Sequence, residues 1–580
     1  MSTDQPPAAT QTLTTLLHRL RNLLIRALLR ALRLFSPSID RLLVRLAASP
    51  GLPVPAPTEA YWQIPEAPVA RCGQHDAVPA YADVVVVGSG ITGTSFARTL
   101  LDWERAHRGE GVRVVMLEAR EACSGATGRN GGHITPVLYE QYPELREAFG
   151  AEMAARIIRF RLAHIPALLE AAREEGLLEE SQCRRVDAFD VFMNKEQFAE
   201  SKRKLEVYSR ALPEESGEYR VREGPEAIKV SVEHRADWDI HRSIGARAER
   251  ERGRVHIDAR GGRASVPPGD WYPGASRAGV SIDVSELRAP VAARGCLTRD
   301  RFRLLTRTPC TGVRVAARDG VELYEVATPR GTIRTAHVVH ATNGWAGHLL
   351  PGMRGKIVPA RGTMTAQTVE NAGWAGERSF VFFPGRGTAA FDYLTQQPVG
   401  RGGEGEMMLG GAYATGDVIE EVGNADDAGW DGKAGAYLCG ALAGHFGAAG
   451  RVRRLWSGVL GISVDGQPWV GRGPGAVAGR GAPRWTEIGG SKVRGGLAAA
   501  GEWMACGYSG EGMVHAWLSG KAVAHMVLGL DAESGAGTEK VAPAGGDEPV
   551  DSWLPGIYRV EEKRWARART EDLIAWFVAL

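Results

Sequence analysis

The apolar positions of this chain fall into short unbroken runs stopped by glycine, alternating with longer stretches of helical spacing. The clearest run is DVVVV (83–87). Consecutive β-branched residues with no polar alternation predict a strand buried on both faces. The run breaks at once into GSGITG (88–93), after which the spacing predicts a helix from Ile91 to about Ala106. RGEG (108–111) then turns the chain into VRVVMLE (112–118), a second buried strand. The three elements make a βαβ unit.

Farther along the pattern is mixed. Residues 150–182 read as helices, 186–240 as strands and helices together, 258–270 as a loop and 281–295 as a helix. The stretch 301–345 holds three strand-like runs, the last of them HVVHATN. Alternation and glycine through 346–455 predict an antiparallel sheet. A strand and turn follow at 454–474, then a strand, a glycine-rich turn and a long helix at 496–529. Residues 531–549 read as a flexible linker, and EDLIAWFVAL (571–580) as a short amphipathic helix. No internal repeat is visible.

At the other end, residues 13–48 are rich in leucine and arginine, with no acid until Asp40. Wound at about 100° per residue, Arg19, Arg26, Arg30 and Arg33 share one face while Leu16, Leu20, Leu23 and Leu34 share another. Three readings stay open here: a mitochondrial presequence, a helix on a membrane surface, or a peripheral helix packed on the protein. The proline-rich SPGLPVPAPTEAYW (49–62) ends that helix and opens a linker running to residue 80.

Composition narrows the classes. Seventy basic against 68 acidic side chains give a net charge of +2, too little excess for a dedicated nucleic-acid binder. The seven cysteines (72, 123, 183, 296, 310, 439, 506) form no C-x-x-C pair, so neither a disulfide framework nor a zinc site is expected, and a reducing, cytoplasmic compartment fits. No run of 18 apolar residues occurs, so no membrane-spanning helix is predicted. Glycine, at 73 residues, is in excess and gathers in particular loops.

Two of those loops carry chemistry. In the first, Gly88 permits a tight turn, Gly90 admits a diphosphate against the backbone, and Gly93 allows helix and strand to pack closely. Free N–H groups and the dipole at the helix start attract phosphate. Glu118 closes the second strand 25 residues past Gly93, where about 20 is usual, and can accept from ribose hydroxyls. The second loop is SGATGRNGGH (124–133), whose glycines let the backbone run against a flat ligand while Arg129 offers a bidentate fork to phosphate.

At this point the chain resembles the FAD-dependent oxidoreductases of the D-amino-acid oxidase type, a family that includes glycine, sarcosine and γ-glutamylputrescine oxidases. The resemblance is carried by VVVVGSGITGTSFA (84–97) with LEAR (117–120), by SGATGRNGGH (124–133), by VVHATNGWAGHLLP (338–351) with PARGT (359–363), and by LGISVDGQPWVG (460–471) with GYSGEGMVHAWLSGKAVA (507–524). The proline-rich stretch and long N-terminus resemble fungal versions. The resemblance implies an α/β fold: a Rossmann-like FAD domain with a parallel sheet (81–150, 271–345, 455–530), and a discontinuous substrate domain with a mostly antiparallel sheet (151–270, 346–454). Residues 531–580 remain as linker and tail. It places Gly88, Ser89, Gly90, Ile91, Thr92 and Gly93 at the pyrophosphate, and Glu118, Ala119 and Arg120 at the adenosine. Arg129, Asn130, Gly131 and Gly132 would line the flavin, Val313 would meet adenine through its main chain, and Ala341, Thr342 and Asn343 would lie beside the cofactor. Gly510, Glu511, Gly512 and Met513 would face the pyrimidine edge of the ring, where a helix start stabilises the anion of the reduced flavin.

The implied reaction moves a hydride from the carbon beside an amine nitrogen to the flavin, giving an imine that water hydrolyses. It needs a neutral amine but no obligatory protein base, so no catalytic residue is assigned; the candidates are His133, Lys356 (for oxygen reduction) and Arg361. The FAD is expected to be non-covalent: the linking histidine of some relatives falls at Arg129 or Asn130, not at His133, and the neighbours of Cys506 are apolar. The first reading is an amine or amino-acid oxidase using molecular oxygen. The second is a dehydrogenase passing electrons to a protein or membrane quinone, with peripheral membrane contact through residues 13–48. The third is a non-enzymatic escort protein on the same fold. The intact glycines, Glu118 and GYSGEGM argue against that last one.

Overall fold

The computed structural model describes residues 36–107, 111–221, 272–281, 301–369, 376, 378–383, 391–400, 403–412, 415, 418–446, 450–484, 497–531 and 549–573. The arginine-rich stretch before Ser36, the loop at 258–270, the helix expected at 281–295 and most of the 531–549 linker lie outside the described residues, as does the end of the C-terminal helix.

The valine run forms β1 (Val84–Val87), followed by α1 (Ile91–His107) and β2 (Val114–Leu117). Every β1 residue is buried, as two-sided covering of a parallel strand requires. β1 lies between β2 and the strand His337–His340, parallel to both. Gly501–Cys506 and then Trp469–Arg472 extend the sheet on one side, and Phe302–Leu305 on the other. The helix Ala516–Val527 crosses α1 closely at Gly520, where a Cβ would come within 2.4 Å of the Thr92 carbonyl.

A second, mostly antiparallel sheet is built around the long pair Ile357–Thr368 and Arg451–Ser463. It continues through Met407–Gly410, Asp392–Gln396, Arg378–Phe383, Arg184–Phe192 and Tyr272–Ser281 to His133–Ile134. The two-domain α/β class implied by the sequence is therefore what the chain adopts. The boundaries differ, because strand pairing rather than chain order assigns a segment. Tyr272–Ser281 and Arg451–Ser463, expected at least in part with the cofactor domain, hydrogen-bond into the second sheet.

Both flanking stretches are built into the body. The helix Pro37–Ala47 buries Leu46 in one apolar cluster with Leu350 and Met353, and Arg45 donates to the Val422 carbonyl at 2.9 Å. The supposed linker after it buries Thr58 and Trp62. The C-terminal stretch buries Tyr558, and the Trp565 indole donates to the Gly352 carbonyl at 2.7 Å. Among the described residues no helix is long and apolar enough to cross a membrane.

Candidate active site

A cavity with about 1260 Å³ of empty space, its mouth included, opens at the C-terminal ends of β1 and β2 and runs to the start of the helix Ala516–Val527. Fourteen of the sequence-predicted cofactor residues line it: Gly88, Gly90, Ile91, Thr92, Glu118, Ala119, Arg120, Asn130, Ala341, Thr342, Asn343, Gly510, Gly512 and Met513. The turn after β1 is confined to glycine. Gly88 has φ +107°, and a Cβ there would meet the Ala341 carbonyl oxygen at 2.5 Å. A Cβ on Gly90 would stand 2.9 Å from Thr127 Oγ1, the atom that accepts the Ile91 N–H at the head of α1. Gly93 does not reach the cavity; a Cβ on it would lie 2.1 Å from the Gly88 carbonyl, so its role is the close packing of helix on strand.

Glu118 stands where the second strand ends. Its Oε2 accepts from the Ser89 hydroxyl at 2.7 Å and from the Ser89 N–H at 3.1 Å, and its Oε1 from the Arg120 N–H at 3.1 Å. Ser89 thus acts by orienting the carboxylate, not by lining the cavity. At the far end the wall is Asn130, Leu460, Tyr508, Gly510, Gly512 and Met513. The Tyr508 hydroxyl is 2.7 Å from Thr92 Oγ1 and donates to the Ala505 carbonyl, and burial holds its pKa well above the usual range. None of these lining residues carries a formal charge.

Several expectations are corrected. Arg129 turns away from the cavity. Its guanidinium donates to the carbonyls of Ser124, Thr58 and Ser457 and to the Thr58 hydroxyl, and sits 3.4 Å from Asp427, because a cation taken fully out of water must satisfy its donors on whatever surrounds it. Burial pushes its pKa down to about 10. The Arg120 guanidinium likewise binds both oxygens of Asp427, at 2.9 and 3.1 Å. Gly131 packs toward Met364 and Tyr393, and Gly132 donates its N–H to Asn130 Oδ1. Glu511 is tied down by Arg161 at 3.1 Å and Gln141 at 3.0 Å. Val313 sits in a hairpin opposite Val326, and Cys310 supplies the cavity wall in its place.

None of the three catalytic candidates lines the cavity. His133 Nδ1 is 2.6 Å from Ser379 Oγ, with its ring against Tyr393. Lys356 Nζ donates to the Ala568 carbonyl at 2.8 Å and lies over the Trp565 ring; burial lowers its pKa. Arg361 makes a two-pronged pair with Glu421, at 2.6 and 2.7 Å. Cys506 is fully buried and also off the cavity, donating to the His340 carbonyl, with its thiol pushed up to about 11 by burial.

The sequence reading missed Gly51, Leu52 and Pro53, which wall the cavity, together with Thr127, Trp345, His348, Leu460 and Tyr508. The proline-rich stretch signalled a linker by composition; only the YW pair at its end (Tyr61, Trp62) hinted at burial.

A glycine-confined turn at a helix head, a carboxylate at the end of the second strand and an uncharged slot beyond them are the three compartments of an adenine dinucleotide bearing a flat ring. They define a flavin-dinucleotide oxidoreductase. Residues 83–526 match the family of FAD dependent oxidoreductases, DAO, and the chain belongs to that family. No curated protein sequence matches it significantly. Among solved structures, L-amino acid deaminase from Proteus myxofaciens, in complex with anthranilate, is 15% identical with a TM-score of 0.50, covering 82% of this chain and 94% of its own. L-proline dehydrogenase from P. horikoshii is 19% identical with a TM-score of 0.48, covering 83% and 98%. At such identities the likeness concerns the fold.

FAD fits the residues present. The turn at Gly88–Gly90 would hold its diphosphate, Glu118 its ribose, and the slot from Asn130 to Met513 its ring.

Proposed function

We propose that the protein oxidises a carbon–nitrogen bond of a small amine or amino acid, with molecular oxygen as electron acceptor. The flavin, when bound, supplies the two-electron acceptor for a hydride. The chain's own part is to bind, desolvate and orient. The observation that supports an amine is the uncharged lining of the ring end: Leu460, Met513, Asn130 and Tyr508 give an ammonium no counter-charge. Desolvation disfavours the charged form of an amine, and the neutral form is the one that can release a hydride from its neighbouring carbon. The polar groups of Asn130 and Tyr508 are bonded within the protein, so the ring end presents a neutral, largely apolar surface to the reacting carbon.

The test is anaerobic bleaching of the flavin's visible absorbance by a panel of amines, N-methyl amino acids, amino acids and polyamine conjugates, followed by readmission of air. Bleaching by an amine with stoichiometric hydrogen peroxide on reoxidation is the expected result. Bleaching with no peroxide, relieved only by a quinone, would refute the oxygen assignment. No bleaching by any nitrogen compound would refute the reaction class.

A further inference from the structure

The matched stretch begins at residue 83, yet part of the cavity is made by residues that precede it. We propose that Thr58 and Trp62, in the proline-rich connector, are positioning residues of the flavin loop, so that tight FAD retention requires a segment outside the family's own region. This rests on the FAD site and not on which amine is oxidised.

Two consecutive carbonyls of the loop are each held by an indole. Arg129 O accepts from Trp456 Nε1 at 2.8 Å, and Asn130 O accepts from Trp62 Nε1 at 2.5 Å. The first indole comes from the second sheet, the second from the connector. Asn130 itself lines the cavity, and its side chain in turn braces the loop through the Ala126 and Thr127 carbonyls and the Gly132 N–H. The Trp62 ring is 4% exposed and packs with Met364, Met408 and Trp456, so the donor is delivered from a fixed position.

Thr58 does the same one residue earlier in the loop. Its hydroxyl and its carbonyl both accept from the Arg129 guanidinium, at 3.0 and 2.6 Å, and its N–H donates to the Asp427 carbonyl at 2.8 Å. The Ser457 N–H donates to the same hydroxyl at 3.0 Å. Loop, connector and second sheet therefore share one buried set of bonds. Upstream of Thr58, the connector's Leu52 and Pro53 complete the wall, and Val54 O accepts from Arg120.

A buried acceptor left without its donor destabilises the loop, and part of that loss falls on the FAD-bound state that needs the loop in place. Full-length holoenzyme carrying Trp62→Phe keeps an aromatic ring, smaller than indole, and loses the donor; Thr58→Val keeps the shape and loses the hydroxyl. Trp565→Phe removes a like indole–carbonyl bond, to Gly352, away from the cavity. FAD release on dilution, read by the rise of free-flavin fluorescence, gives each dissociation constant, with melting temperature measured alongside. Expected is a rise of about tenfold for Trp62→Phe and Thr58→Val, with a shifted visible flavin spectrum, and no change in affinity for Trp565→Phe. Dissociation constants within twofold of wild type for both connector variants would overturn the proposal, as would an equal rise in Trp565→Phe. If Trp62→Phe yields no folded protein, Thr58→Val decides alone. Each outcome holds whether or not an amine proves to be the substrate.

Discussion

Mild acid should unfold this protein with unusual steepness, because three histidines are buried with a ring nitrogen facing a donor. His164 Nε2 accepts from the Leu518 N–H at 3.2 Å while Nδ1 faces the Phe160 carbonyl at 2.9 Å. His337 Nδ1 accepts from the Trp503 indole at 3.2 Å. His515 Nε2 meets the Arg161 guanidinium at 3.4 Å, and its Nδ1 faces the Glu511 carbonyl at 2.8 Å. A second proton on any of these rings would set two donors against each other in a buried site. Burial accordingly pushes His164 down to about 4, His337 to about 3, and His515 well below its ordinary value. The unfolded chain takes up these protons near pH 6.5. A folded-state value held below the unfolded one contributes stability that is full above pH 6.5 and is lost as pH falls toward the folded values. With three protons bound on unfolding, the slope approaches about 4 kcal/mol per pH unit, so about 5 kcal/mol is lost between pH 6 and pH 4.5. That is on the order of a whole domain's stability, about 5–15 kcal/mol. The assay is the guanidinium midpoint, followed by tryptophan fluorescence at pH 7.5, 6 and 4.5. His337→Asn, whose Oδ1 can replace the accepting Nδ1, should lose about 2 kcal/mol less over the same interval. A midpoint insensitive to pH, or a variant with the wild-type slope, would refute the reasoning.

Gly90→Val should abolish flavin retention, since even its Cβ would crowd Thr127 Oγ1 at 2.9 Å and block the diphosphate's approach; a purified variant that is normally yellow would count against the turn as the phosphate site. Asp427→Ala should leave the buried Arg120 and Arg129 without their shared anion, at a cost of about 3–5 kcal/mol, read as a lower denaturation midpoint; an unchanged midpoint would show the two cations to be satisfied by carbonyls alone.

The dinucleotide turn was legible because its demands are local. A valine run, three glycines and a terminal acid each answer to backbone geometry within about thirty-five residues, and their spacing survives translation into space. Arg129 was not legible in the same way. Its type suits phosphate, but its partners Thr58 and Ser457 lie 71 and 328 residues away, and no spacing announces them. Lys356 and Arg361 went astray for the same reason, one held by Ala568 and the other by Glu421. The connector misled by composition. Proline removes donors and stiffens the chain, which reads as a spacer, yet an extended stiff segment is also well suited to lie along a cavity wall.

The order of strands around β1 has a consequence for biosynthesis. One neighbour, β2, leaves the ribosome soon after it, but the other begins only at His337, 250 residues beyond Val87 (337 − 87). At about 5–20 residues per second that is roughly 12–50 s during which a bare valine edge waits for its mate. For that interval the unpaired edge is open to pairing with other chains, and translation products ending before that strand should be more prone to aggregate than the full chain.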